Sequence, residues 1–573
     1  MSGRNAPRSK NGCSTCRRRK VKCGEERPVC ARCLNLNLHC EWGIPVKRAR
    51  GAQARPLQPA PATHDLDPNT VLVPSFGDET PCSIDVRLRD SSPASWSGDL
   101  LYARSPQLSW LFCPPVGQSS FCPSLSTPLT VPDLTCANSL TLTRTDRKYF
   151  EYFPSSSIVY YYMKGWQWST FWYLYQGPAA TNKVIMRMLL AIAASDMHRQ
   201  GLVVRSPGRP TADDHGRYHY SLAVKEFRQL LEAPRESVSV AELEIIFATM
   251  FLMVTYEWQF GHSIRHLQLH LHGIRSLLES HPQLFRVRNV DDMLMLPDAA
   301  EGSSVRESEP AKVSFISEQF LLWTLYVDAS CGPMGLTESL NDFVIQSQNP
   351  ALHPDHLYRC ARLWARCFWG EQYPDQEVLD DNENYRALEL IHAGFCFRHR
   401  TWKVFVESGT GVETSESLLR EMLSTRDRFS DLFITARIAG GVSARRTLHT
   451  IHMGVCTFYA QIIFHRRLLC PNSPPGPLHK QALAGIVDVA RKQYTSDPRL
   501  LRRLQWPLLM AVIEMGDPSQ REWLRQRLLE LNNCHSEYVW TKEVADEVLR
   551  QQDGKPGFYA NLADLLRRRL ETQ

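Results

Sequence analysis

From about residue 145 onward, apolar residues recur along the chain with a helical period. Within 182–198 they fall at positions 184, 185, 188, 189, 192 and 193, a stripe on one helix face. Positions 243–256 are apolar nearly all round, which predicts a helix buried on every side. Further helical stretches are predicted at 262–280, 315–329, 356–369, 385–407, 415–438, 449–469, 479–494, 522–532 and 541–551. Strand-like alternation is scarce. The pattern predicts one large all-α domain over 145–573, with looped interruptions at 282–312 and 371–384.

Upstream, the period is lost. Fourteen of the chain's 36 prolines lie between Pro45 and Pro132, among frequent Ser and Thr. Such a segment cannot bury enough apolar surface to offset its ordering entropy, so 43–144 is expected to be a disordered linker. It carries no a/d heptads, which argues against a dimerising coiled coil. The longest apolar run, 245–256, is closed by Glu244 and Glu257 and falls short of the ~20 residues that span a bilayer. The opening MSGRNAPRSK has no apolar core and reads as a basic disordered arm over 1–10, not a secretory signal. A membrane or secreted protein is therefore not expected.

Charge separates the two ends. Residues 1–50 hold 13 Lys/Arg and 3 Asp/Glu, while the other 523 hold 53 and 57. A polyanion partner for the basic head follows, the alternative being a basic arm with no specific target. The cysteines decide between them. Of 17, six fall between Cys13 and Cys40, and in an unsignalled chain such a cluster points to metal before disulfides.

Cys13, Cys16, Cys23, Cys30, Cys33 and Cys40 follow the spacing C-x2-C-x6-C-x6-C-x2-C-x6-C, which is C-x2-C-x6-C twice at an offset of 17. Two half-sites related by a pseudo-two-fold follow. Zinc favours four thiolates in a tetrahedron. Two zincs need eight ligand places, so with six thiolates two must bridge. Symmetry allows Cys13 with Cys30, Cys16 with Cys33, or Cys23 with Cys40, and spacing alone does not choose. The segment 11–42 has little beyond Val21, Val29, Leu34, Leu36 and Leu38 to bury, so it is expected to fold only with its metal. Between Cys16 and Cys23 stands Arg17-Arg18-Arg19-Lys20-Val21-Lys22. As the end of a short helix these cations suit the helix dipole, DNA phosphates and guanine edges in a major groove. Pro28 supplies a turn between the half-sites.

These six cysteines, the basic stretch and the loop proline resemble the fungal zinc binuclear cluster (Zn2Cys6) transcription regulators. The resemblance implies two zinc ions per chain, with Cys13 and Cys30 bridging. It implies that Lys20 reads a CGG-type triplet while Arg17, Arg19 and Lys22 mainly hold phosphates, and Arg18 is counted with them as DNA-binding. The later fragments LLAIAASDMHR, HLQLHLHGIRSLL and LLWTLYVDASCGPMG resemble the fungal-specific transcription factor domain that follows such clusters. They are most similar to the branch that includes regulators of arginine, GABA and fruiting-body pathways. The fold class expected is thus a small zinc-dependent cluster domain and a large all-α regulatory domain, joined by a disordered linker. The expected function is a nuclear, sequence-specific regulator of RNA polymerase II genes. The expected partners are double-stranded DNA with CGG-like half-sites, the transcription machinery or coregulators, and a small-molecule effector. Its state is expected to be a monomer, or a dimer through the helical domain. The alternative from another class is a zinc-cluster corepressor or scaffold that binds protein.

Four other features carry chemistry. Lys47, Arg48 and Arg50, with Arg55, form a nuclear import candidate, or a backbone-contacting arm. His262, His266 and His270 recur every four residues, a pattern that two zinc ligands share with an ordinary polar face. The aromatic run from Tyr160 to Tyr175 suits a ligand pocket or core packing. Glu371 to Glu383 mixes six acids with Tyr373, Val378 and Leu379, as activation segments and solvated loops both do. No G-x-x-x-x-G-K-[ST], G-x-S-x-G, HExxH or DDxxD occurs, so an enzyme is not expected.

Overall fold

The computed structural model describes residues 13, 15–16, 23, 25, 30–35 and 40, and then 134–571 with breaks at 136–137, 162–163, 165, 204–207, 233–237, 262, 288–314, 337, 364, 408–413, 441–444, 532–535, 554 and 556–558. The arm over 1–10, the basic residues 17–22, the import candidates Lys47, Arg48 and Arg50, and the linker up to 133 lie outside the described residues. The chain divides into two compact units, Met1–Glu79 and Thr80–Gln573. Among the described residues of the first lies one short helix, α1 (Ala31–Asn35).

The second unit opens on a strand pair inside the stretch expected to be linker. Strands β1 (Leu134–Thr135) and β2 (Thr141–Leu142) are antiparallel, with Leu134 opposite Leu142. Asn138 holds the turn: its Oδ1 accepts from the Leu140 N–H at 2.9 Å and its Nδ2 donates to the Ala179 carbonyl at 2.7 Å. Thr143 then caps α2 (Arg144–Tyr152), with Asp146 returning the bond to the cap.

Every other described element of this unit is helical. The principal ones are α3 (Lys183–Arg199), α4 (Ala212–Glu232), α5 (Val240–Phe260), α6 (Ile264–Ser280), α7 (Phe315–Cys331), α8 (Pro354–Leu363), α9 (Asp375–Val406), α10 (Ser415–Arg428), α11 (Arg446–Leu469), α12 (Pro477–Ser496) and α13 (Gln505–Glu514). The core runs along α5, α11 and α13. As its sequence predicts, α5 is buried on all sides from Ile246 to Phe260. No described helix is long and apolar enough to cross a membrane.

Two helix pairs approach through glycine. On α4, a Cβ at Gly216 would run into the Ser195 Oγ of α3 and sit 3.0 Å from the Ala191 carbonyl. On α11, a Cβ at Gly454 would lie 3.0 Å from the Ala387 carbonyl of α9. Gly216→Val is therefore expected to push α3 and α4 apart and cost about 1–3 kcal/mol, visible as a lowered melting temperature of the full chain.

Two predicted boundaries shift. The expected loop 371–384 is mostly helix, because α9 begins at Asp375, ten residues before the predicted start at 385. Pro374 fixes the entry, and Asp375 and Glu377 in the first turn suit the positive end of the dipole. Nor is this stretch a freely solvated acidic segment. Lys164 binds Asp381 at 2.5 Å and Glu377 at 3.1 Å, and Arg446 reaches Glu377, Asp380 and Asp381. The predicted helix 415–438 breaks at the fully buried Phe429 into α10 and a second helix, Ser430–Ile438. The predicted 356–369 is helical over its described residues, in α8 and Ala365–Trp369.

Candidate metal centre and nucleic-acid interface

In the smaller unit the described residues gather around sulfur. Five of the six cysteines are buried and Cys40 is half-buried. The backbone repeats one pattern in both halves. The N–H of Cys16 donates to Cys13 Sγ at 3.4 Å, and that of Cys33 donates to Cys30 Sγ at 3.4 Å. The N–H of Cys13 donates to Cys23 Sγ at 3.3 Å, and that of Cys30 donates to Cys40 Sγ at 3.3 Å. Shifting either bond by 17 residues gives its counterpart, so the sequence repeat is a structural pseudo-two-fold. Leu34 closes the first turn of α1 onto the Cys30 carbonyl at 3.0 Å, and this turn sets Cys30 and Cys33 side by side. Glu25 adopts φ 65°, a left-handed conformation, and turns its N–H onto Cys23 Sγ at 3.4 Å.

The sulfurs form two groups of four, each with all sulfurs within 4.8 Å of one another. One is Cys13, Cys16, Cys23 and Cys30; the other is Cys13, Cys30, Cys33 and Cys40. Cys13 and Cys30 stand in both and lie 3.8 Å apart. A tetrahedral zinc with bonds of about 2.3 Å places its sulfurs about 3.8 Å apart, so the spacing fits. The donors also need a cation. Burial pushes the Cys16 thiol up to about 12 and raises Cys23 and Cys33. At Cys30, burial is outweighed by the Cys33 N–H and the neighbouring thiols, and the value falls to about 6. Six crowded sulfurs cannot all ionise unless positive charge is placed among them, which is what two zinc ions supply. The six cysteines are placed to bind a binuclear zinc cluster.

The other sequence candidates resolve differently. Among the described residues, no other group of three or more His, Cys, Asp or Glu is placed to hold a metal. His262 lies outside the described residues, His266 is exposed, and His270 accepts or donates to Tyr220 Oη at 2.8 Å. Burial pushes His270 down to about 4, the environment of a neutral packing residue. The aromatic run packs on itself and on neighbouring helices: Trp166 meets Trp172 and Tyr175 edge-on, Tyr175 stacks on Phe150 at 4.2 Å, and Trp168 meets Tyr373 and Trp369 edge-on. These contacts are those of core packing.

The fungal Zn(2)-Cys(6) binuclear cluster domain matches residues 11–49, and the fungal specific transcription factor domain matches 154–361 and 412–559. Similar proteins include the Sterol uptake control protein 2 of Saccharomyces cerevisiae, 48% identical over 46 residues, 8% of this chain and 5% of that protein. The Zn(2)-C6 fungal-type transcription factor afumD of Aspergillus fumigatus is 37% identical over 70 residues, 11% of this chain and 19% of that one. The Aspercryptin biosynthesis cluster-specific transcription regulator atnN of Emericella nidulans is 47% identical over 55 residues, 10% of this chain and 9% of that one. The matched stretches thus span a small part of these relatives. No solved structure matches the chain.

Proposed function

The chain belongs to the fungal regulators that join a Zn(2)-Cys(6) cluster to a fungal specific transcription factor domain, and from that premise we propose that it reads CGG-type triplets in double-stranded DNA and regulates RNA polymerase II genes. The observation that carries the reading is the pair of cysteine tetrads with Cys13 and Cys30 in common. On this reading Cys16 and Cys23 would complete one zinc and Cys33 and Cys40 the other, with Cys13 and Cys30 shared. The metal would neutralise the thiolates and tie down Cys16 and Cys23, which bracket the basic stretch. From that stretch Lys20 reads base edges, while Arg17, Arg18, Arg19 and Lys22 hold phosphates.

Lys47, Arg48 and Arg50 act in nuclear import. The helical unit regulates and contacts coregulators, and any dimer forms through it. The relatives' printed names support a role in pathway-specific control, atnN above all. The chain acts as a regulator and not as an enzyme.

The test separates reading from holding. A contact to a base edge is worth about 1–3 kcal/mol of discrimination, whereas each phosphate contact adds about 0.9 to the slope of log K against log salt. Lys20→Ala is expected to weaken binding to CGG duplexes far more than to scrambled ones. Arg19→Ala or Lys22→Ala is expected to weaken both alike and to flatten the salt dependence by about one contact. Titrations at several salt concentrations in which Lys20→Ala leaves the affinity ratio unchanged would favour the protein-binding scaffold.

A further inference from the structure

The helical unit contains a cavity of about 780 Å³ between α8, α9 and α10, within the range of small-molecule sites. We propose that it binds a flat organic acid, an anionic group on an aromatic or conjugated body, seated against Arg359. This deepens the effector reading of the regulatory domain and rests on it for its biological purpose.

Charge bookkeeping around the cavity leaves one cation over. Arg400 is met by Glu421 at 2.8 and 2.5 Å, Arg428 by Glu389 at 3.6 Å, and His392 Nε2 by Asp355 Oδ1 at 3.0 Å. Arg359 is exposed, lines the same cavity and makes no hydrogen bond or ion pair among the described residues. Its charge is felt by Asp355, but no carboxylate closes on it. Asp355, on α8, faces His392 and His353 instead. Burial disfavours charge on His392, yet Cys396 and Asp355 beside it outweigh burial and hold its value up to about 9.

The apolar half of the site is aromatic. Tyr358 is buried and stacks on His392 at 5.0 Å with 16° between planes, and the half-buried Tyr385, which also lines the cavity, stands 5.4 Å from Tyr358 and 53° from its plane. These rings are fixed: Tyr358 Oη donates to the Tyr385 carbonyl at 2.6 Å, and Tyr326 Oη meets His392 Nδ1 at 3.0 Å. A planar ligand body gains from stacking on such a wall.

The family match adds an independent observation. The residues of α8 and α10 that wall the cavity fall inside the two matched blocks, while α9, which supplies the floor, falls in the unmatched stretch between them.

The experiment titrates the full-length protein, without DNA, with 2-naphthoate and with neutral 2-naphthamide, read by calorimetry. The acid is expected to bind saturably and about tenfold or more tighter than the amide, the share of one unscreened charge contact. Arg359→Ala, an exposed change, should bring the acid down to the amide's affinity. Ala393→Trp should fill the cavity and remove binding of both at an unchanged melting temperature. Should that variant unfold, Ser424→Trp on the exposed α10 wall replaces it. Equal affinities for acid and amide, acid binding unaffected by Arg359→Ala, or no saturable binding of 2-naphthoate at millimolar concentration would each overturn the proposal. Because no DNA is present, none of these outcomes depends on the reading of CGG triplets.

Discussion

Cys13→Ser is expected to abolish the fold of the N-terminal unit, its zinc content and specific DNA binding together, with damage at least as great as that of Cys16→Ser. The reason is geometric. Cys16 belongs to one tetrad, whereas Cys13 belongs to both. Its loss leaves each metal with three thiolates and opens the pseudo-two-fold at its centre. It also replaces the sulfur that accepts from the Cys16 N–H with a smaller hydroxyl on a shorter bond. Structural zinc supplies roughly 10–16 kcal/mol of folding free energy in small domains, far more than the few apolar side chains near it can replace. Cys30→Ser should match Cys13→Ser, since the two are counterparts across the pseudo-two-fold. Zinc analysis and DNA titration of the three variants side by side check this. A Cys13 variant that keeps more zinc than the Cys16 variant would show that Cys13 does not bridge.

Within the helical unit, Glu514→Ala is expected to be the most costly single change. Arg466 and Arg467 at the end of α11 and Glu514 at the end of α13 are each only about 2% exposed at the side chain. Glu514 receives Arg466 Nη2 at 2.5 Å and Arg467 Nε at 2.7 Å. The same guanidiniums hold backbone: Arg466 donates to the Ser473 carbonyl and Arg467 to the Ala560 carbonyl, both at 2.9 Å. Glu514→Ala would leave two buried cations with no counter-charge. Breaking such a pair costs about 3–5 kcal/mol, because the remaining charge keeps its desolvation penalty and loses its partner. Thermal or denaturant unfolding of the full chain should show a drop of this size. Arg228→Ala, which breaks the exposed pair with Glu232, should change stability by less than about 0.5 kcal/mol. A Glu514→Ala effect no larger than that of Arg228→Ala would mean that the buried charges have found another compensation.

What could be read from the sequence, and what could not, follows the range of the interactions. Ligand spacing is a local property, so the zinc cluster was legible from six cysteines. The bridging pair was not, because membership of both tetrads exists only once the two halves meet. The all-round apolar pattern of α5 announced burial correctly. Helix α4 escaped notice, although its buried positions Ala212, Gly216, His219, Ala223 and Phe227 keep a helical period. Small residues and a histidine form that face, and they give almost no hydrophobic signal; Gly216 is there because α3 passes too close for a side chain. The acids after Pro374 resembled a solvated loop because Lys164 and Arg446, which pair with them, stand far away in the chain. Arg466 and Arg467 stand in the last turn of α11, where cations suit the helix dipole and are ordinarily exposed. Only Glu514, 47 residues beyond Arg467, shows that they are buried.

The central claim is that six thiolates hold two metals by sharing two of their number. Its most direct test is the amount of zinc bound per full-length chain, measured by metal analysis against protein concentration and repeated on the Cys13→Ser and Cys30→Ser variants. The account predicts two zincs per chain, and loss of both in either variant. One zinc per chain, or one zinc retained by both variants, would contradict it.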